Sequence, residues 1–211
     1  DPSTSKIVIT YKDQVNVDYG RAVVGTISGT SVSFGSHEYF NTGTTSYTAV
    51  AFDPNTANKC VIVFTDSGNS SYGTARVATV SGTSISFGTE VVFNAGTSTY
   101  PSVAFDPSTS GKFVVGYMDE GNSNAGTAIV GTLSGTTVSF GTAVVFNANS
   151  RSMKVVFDPN NAGKLVIAYR DWGAGGYGKA IIGTMSGTSL SFGTAVFWAS
   201  RLLNFVGLAI D

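Results

Sequence analysis

Charge is scarce in this chain. Its 211 residues carry 12 Lys or Arg and 13 Asp or Glu, a net charge of −1 and a 12% charged share, about half the usual proportion. Without a basic surplus there is no electrostatic grip for nucleic acid or an anionic membrane, and neither is expected as a partner. One histidine, His37, and one cysteine, Cys60, leave no His/Cys metal-ligand set, no intramolecular disulfide and no Ser/His/Asp triad to assemble. His37 reads as a solvated edge residue, and Cys60 as a small core residue, since the corresponding places hold Ile7, Phe113 and Leu165. No apolar run nears the ~20 residues of a membrane-spanning helix, so membrane insertion is not expected. Amphipathic helices are missing too, because the 26 glycines interrupt every window long enough to hold one. The chain opens inside a repeat, with no secretory signal pattern. A hydrophobic share of 42% is nevertheless too high for a disordered chain.

What the chain does have is repetition. Ser-Gly-Thr-x-x-Ser-Phe-Gly starts at Ser28, Ser81, Ser134 and Ser186, at intervals of 53, 53 and 52 residues. A period near fifty marks a repeat architecture built from one supersecondary unit. The copies run over about 1–52, 53–105, 106–157 and 158–211, in a single domain covering 1–211. Each holds four short runs rich in Val, Ile, Phe, Tyr and Thr, which suit a pleated, half-buried surface. Run a is 49–52, 103–105, 154–157 and 207–210; run b is 7–11, 60–64, 113–117 and 165–169. Run c is 21–27, 75–80, 128–133 and 180–185, and run d follows each Ser-Phe-Gly through 38–40, 91–93, 144–146 and 196–198. Asp-Pro, at Pro2, Pro54, Pro107 and Pro159, favours a type I turn between a and b. The Gly of Ser-Gly-Thr is free to take positive φ between c and d.

Run b has apolar residues on both faces: Cys60, Ile62 and Phe64 on one, Val61 and Val63 on the other. A strand buried on both faces belongs inside a stack of sheets. Four-stranded antiparallel sheets packed face to face around an axis form a β-propeller. The fold expected is therefore all-β, a four-bladed β-propeller of four-stranded antiparallel blades. The missing first run a is matched by a surplus run at 205–211, so the C-terminal strand is expected to pair with 7–11 and 203–211 to complete the first blade, leaving no edge. The second architecture is a β-solenoid or a fibre of stacked units.

The segments 101–107, 112–119 and 126–146 resemble the blade of sialidase-like propellers with Asp-box repeats, and the likeness covers the chain one blade at a time. Ser134–Gly141 lies where such a blade has Ser-x-Asp-x-Gly-x-x-Trp; the Asp is absent and Phe140 stands for the Trp. The low-charge Ser/Gly/Thr repeats are also similar to those of phage tail fibres and bacterial surface adhesins, which implies binding at an extracellular, secreted or virion surface. Sialidase chemistry needs an arginine triad, a Tyr/Glu pair and an acid/base Asp. With five arginines at unrelated places and Glu38, Glu90 and Glu120 in non-equivalent ones, no catalytic residue carries over, and the chain is read as a non-enzyme.

Two aspartate columns recur: Asp13, Asp66, Asp119 and Asp171 after run b, and Asp1, Asp53, Asp106, Asp158 and Asp211 at the other end of the unit. Turn capping through nearby backbone amides is the expected role; rings of carboxylates holding Ca²⁺ are the alternative. No other cofactor is implied. Departures from the repeat gather late in the chain. Trp172 stands where other copies have Gln14, Ser67 and Glu120, and Arg151, Arg170 and Arg201 read as arginines without basic equivalents. Links b-to-c and d-to-a leave one face, so Trp172, Tyr177, Arg151, Arg170 and Arg201 are expected to share it with Tyr47, Tyr100, Tyr72 and Tyr19. Aromatic rings that stack on sugar C–H groups, beside planar donors for hydroxyls, suit a glycan. The function expected is a lectin-like module binding a glycan or cell-surface receptor on a phage fibre or secreted adhesin. The alternatives are a structural spacer or self-assembly unit, as an oligomer or part of a larger fibre, and, third, a sialidase-like hydrolase.

Overall fold

The computed structural model describes residues 1–2 and 4–210. All of its sheets are antiparallel, joined by tight turns. The first sheet has β1 (Lys6–Asp13), β2 (Tyr19–Ser28) and the first half of β3 (Ser31–Phe52). The second takes the rest of β3 with β4 (Lys59–Asp66), β5 (Tyr72–Ser81) and the start of β6 (Ser84–Phe105). The third takes the rest of β6, then β7 (Lys112–Asp119), β8 (Ala125–Ser134), β9 (Thr137–Phe140) and β10 (Val144–Asn147). The fourth holds β11 (Ser150–Phe157), β12 (Lys164–Asp171), β13 (Tyr177–Ser186), β14 (Ser189–Phe192) and β15 (Val196–Ala199). Runs d and a, separate in the sequence reading, are one continuous strand in β3 and in β6, each passing from one sheet into the next.

Sheet stacks on sheet through the two apolar faces of each second strand. In β4, Cys60, Ile62 and Phe64 pack toward the first sheet with Ala22 and Val24. Val61 and Val63 pack the other way, against Phe113, Val115 and Tyr117 of the third. Val114 then meets Leu165, Ile167 and Tyr169 of the fourth. The turns repeat as well. Asp53, Asp106 and Asp158 each accept the N–H two residues on, at 2.9 Å, and Lys6, Lys59, Lys112 and Lys164 each donate across the sheet to a Thr hydroxyl at 2.6–2.7 Å.

The expected ring closure is not formed. Residues 200–210 contain no strand, and β1 pairs with β2 alone. The reason is local. The Leu203 N–H donates to the Gly176 carbonyl, and Ser152 Oγ to the Asn204 carbonyl, both at 3.1 Å. These bonds hold the segment against the fourth sheet, with Val206 buried beside Met153. The four sheets form three sheet-to-sheet cores among the described residues, and none joins the fourth sheet to the first. Asp211, the last member of its aspartate column, lies outside the described residues.

Candidate functional site

The strand that pairs with β4, β7 or β12 (β3, β6 and β11) carries a bulge at the same place in each of those three sheets. Pairing skips between Ser46 and Ala49, between Thr99 and Ser102, and between Arg151 and Lys154. At the bulge Tyr47, Tyr100 and Ser152 have φ of 48°, 53° and 48°. Positive φ is uncommon for a bulky side chain, and such strain collects at functional sites. Here it turns two rings together: Tyr47 and Tyr100 have centroids 4.8 Å apart at 52°. A cleft of about 170 Å³, room for roughly half a dozen waters, runs past Tyr47, Tyr100, Pro101, Ser152 and Lys154 to Phe205. Burial pushes the Tyr47 phenol up, the hydrogen bond with Tyr100 adds to this, and Arg151 opposes it.

Beside the cleft lies a cationic stack. The residue before each bulge faces the residue after the second strand, and this pair changes from sheet to sheet. It is Ser46 with Ser67 in the second sheet, Oγ to Oγ at 3.4 Å, and Thr99 donating to Glu120 at 3.1 Å in the third. In the fourth it is Arg151 over the Trp172 ring at 4.9 Å, with Arg170 over the same ring at 4.1 Å. The Nε atoms of both arginines are buried without a hydrogen-bond partner. Burial lowers the Arg170 pKa, and the neighbouring Arg151 charge lowers it further.

Arg21 and Arg76 are each paired through their terminal nitrogens, although Arg21 Nε is likewise buried without a partner. Arg21 meets Asp13 at 3.0 Å and the His37 carbonyl at 3.2 Å. Arg76 donates to the carbonyls of Phe40 and Gly88 and to Glu90 at 3.0 Å. Among the described residues no carboxylate forms an ion pair with Arg151 or Arg170. Two adjacent guanidiniums with unused donors suit an anion, which a planar fork binds in bidentate fashion.

The structure thus gathers Tyr47, Tyr100, Arg151, Arg170 and Trp172. It does not gather the rest of the expected set. Tyr177 turns to Phe197 on β15, 6.3 Å between ring centroids, as Tyr19 turns to Tyr39 on β3. Tyr72 begins β5, pairing with Asp66 and Thr97. Arg201 lines an open hollow with Trp198. Trp198 lies over Gly178, as Phe40, Phe93 and Phe146 lie over Gly20, Gly73 and Gly126, so its ring covers a glycine in the sheet. Register corrects the reading of Arg170 as lacking a basic equivalent: Arg170 opposes Gly178 as Lys12 opposes Gly20. Phe205, in the cleft and 84% exposed, was expected in the closing strand. Its spacing of 53 from Ser152 was the available clue.

Asp13 and Asp171, in the column that follows run b, are bonded by the protein itself. Asp13 accepts from Val15 N and Asn16, and Asp171 from Asn147, Ala174 N and Lys179. The Asn16 hydrogen bond lowers the Asp13 pKa despite opposing desolvation. At Asp171 burial alone would raise it, but the Lys179 and Asn147 bonds prevail and lower it.

No protein family matches the chain by sequence, the Asp-box propellers included, and no curated protein matches it. Among solved structures, a mutant of Aleuria aurantia lectin in complex with alpha-methyl-L-fucoside is similar at TM-score 0.41 and 9% identity. The match covers 94% of this chain and 80% of that one. A likeness this distant assigns neither family nor ligand.

Proposed function

We propose that the chain is a non-enzymatic carbohydrate-binding module whose ligand bears a carboxylate or sulfate. One observation carries the reading: the guanidiniums of Arg151 and Arg170 both stack on Trp172, and among the described residues no carboxylate pairs with either. A sugar anion would pair with the two guanidiniums, and the half-exposed Trp172 ring offers apolar surface to sugar C–H groups. The Tyr47–Tyr100 cleft beside it gives the next residue of the glycan an aromatic wall. Glu120, whose charge reaches Tyr47, accepts a hydrogen bond from Thr99 at the edge of the cleft. The hydroxyl- and amide-rich surface with few charges suits an exterior setting, such as a phage fibre or secreted adhesin. A glycan array pairing sulfated and uronate-bearing oligosaccharides with neutral counterparts tests the proposal. Retention of the anionic members, weakened by salt and lost in Arg151→Met, is the expected result. Equal retention of the neutral members, unaffected by Arg151→Met, would refute it.

A further inference from the structure

The repeat fixes which face of one sheet meets which face of the next, and the two ends of the stack leave one face of each kind uncovered. Ile62, Val115 and Ile167 are fully buried beneath the preceding sheet; Ile9, at the same place in the first sheet, is 43% exposed. Val24, Val77 and Val130 are fully buried beneath the following sheet; Ile182, their counterpart in the fourth, is 51% exposed. A second contact follows the same rule. At Gly35, Gly88 and Gly141 a Cβ would overlap the carbonyl oxygen of Thr83, Thr136 or Thr188 in the next sheet. Gly193 keeps the glycine, yet a Cβ there would meet only the Ile182 carbonyl, at 3.8 Å. The hairpin residue in the first sheet that matches those threonines is Thr30.

We infer that the fourth sheet of one copy of this chain packs head to tail on the first sheet of a second copy. Ile182 then lies against Ile9, and Gly193 beneath Thr30. The interface continues a packing already made three times within the chain, and each exposed face has the residue types that its partner face meets elsewhere. The occupant is a second copy because the first and fourth sheets of one copy share no core, and residues 203–204 are bonded to the fourth sheet. Two different faces make a heterologous contact, which gives rings or filaments according to the rotation. This inference is independent of the glycan reading.

Sedimentation velocity on the 211-residue chain tests it. The wild type should gain mass with concentration. Ile9→Glu and Ile182→Glu alter side chains already open to solvent, so their melting temperatures should match the wild type. Each alone should be monomeric, because every copy then lacks the same face. Mixed, they should give a one-to-one dimer and nothing larger, from the one sound face on each. A wild type that stays monomeric at all concentrations would overturn the inference, whether its faces close internally or stay free. So would either variant dimerising alone, which requires like faces to meet, or a mixture that stays monomeric.

Discussion

Replacing Arg170 by Met should leave the protein as stable as before or more so, although it deletes a side chain that touches two others. The Nε–H of Arg170 is buried without an acceptor, and such an unmade bond costs about 1–3 kcal/mol. Against that stands the stack on Trp172 at 4.1 Å, worth about 0.5–1 kcal/mol at a partly exposed site. Met keeps the unbranched stem and adapts to the same neighbours. The balance is a gain of about 0 to 2.5 kcal/mol. At about 2–4 °C per kcal/mol for a chain of this length, the melting temperature should hold or rise by up to ~10 °C. Arg76→Met should do the reverse. Its guanidinium serves Phe40, Gly88 and Glu90, and acceptors stripped of their donor cost about 1–3 kcal/mol, a fall of roughly 2–12 °C. Scanning calorimetry of both variants at neutral pH makes the comparison. A fall in Arg170→Met as large as that in Arg76→Met would refute the claim that the first guanidinium is unsatisfied in the folded chain.

Cys60 is fully buried and desolvation pushes its thiol up to about 12, so a disulfide reagent at pH 8 should label it only after denaturant is added; rapid labelling of the native chain would contradict its place between the first two sheets. Gly88→Ala puts a methyl group into the Thr136 carbonyl, and overpacking of this kind costs about 1–3 kcal/mol, to be read as a lower urea midpoint. An unchanged midpoint would show that the sheets approach less closely there. Asp13, Asp158 and Asp171 all have lowered pKa values, so their contribution to stability is present above the unfolded carboxylate pKa of about 3.9 and lost as pH falls through the folded values. Melting temperature should therefore be level from pH 7 to about pH 5 and drop below ~pH 4; a level profile down to pH 2 would contradict the hydrogen bonds drawn to these groups.

Much of the stack was legible because its determinants are local and repeated. The two apolar faces of 60–64 required sheets on both sides, and β4 has them. Turn roles were legible from Asp-Pro and Ser-Gly-Thr, since a single side chain or a single positive φ fixes each. Closure was not, because the hydrogen bonds at 203–204 that hold the last segment to the fourth sheet compete with edge pairing and leave no periodic trace. At the site, departures from the repeat pointed to Trp172 and Arg151, which stack together; Arg170 joins them although Lys12 holds its place in the first sheet. Tyr72 and Tyr177 lie away from the bulges because β5 and β13 are separated from the bulged strand of their sheet by β4 and β12, a matter of sheet order. The bulges themselves were hidden: nothing in Thr-Tyr-Pro at 99–101 announces a left-handed Tyr, and only the skipped register between Thr99 and Ser102 reveals it.

The central claim is that Arg151, Arg170 and Trp172 bind an anionic sugar, and Trp172 can report on it directly. Replacing Trp198, the other of the two tryptophans, by Phe leaves one indole, set against the two guanidiniums. Titrating that variant with a sulfated disaccharide should give a saturable change in tryptophan fluorescence that salt weakens and Arg170→Met abolishes. No change at any concentration, or an equal change with the desulfated sugar, would contradict the account.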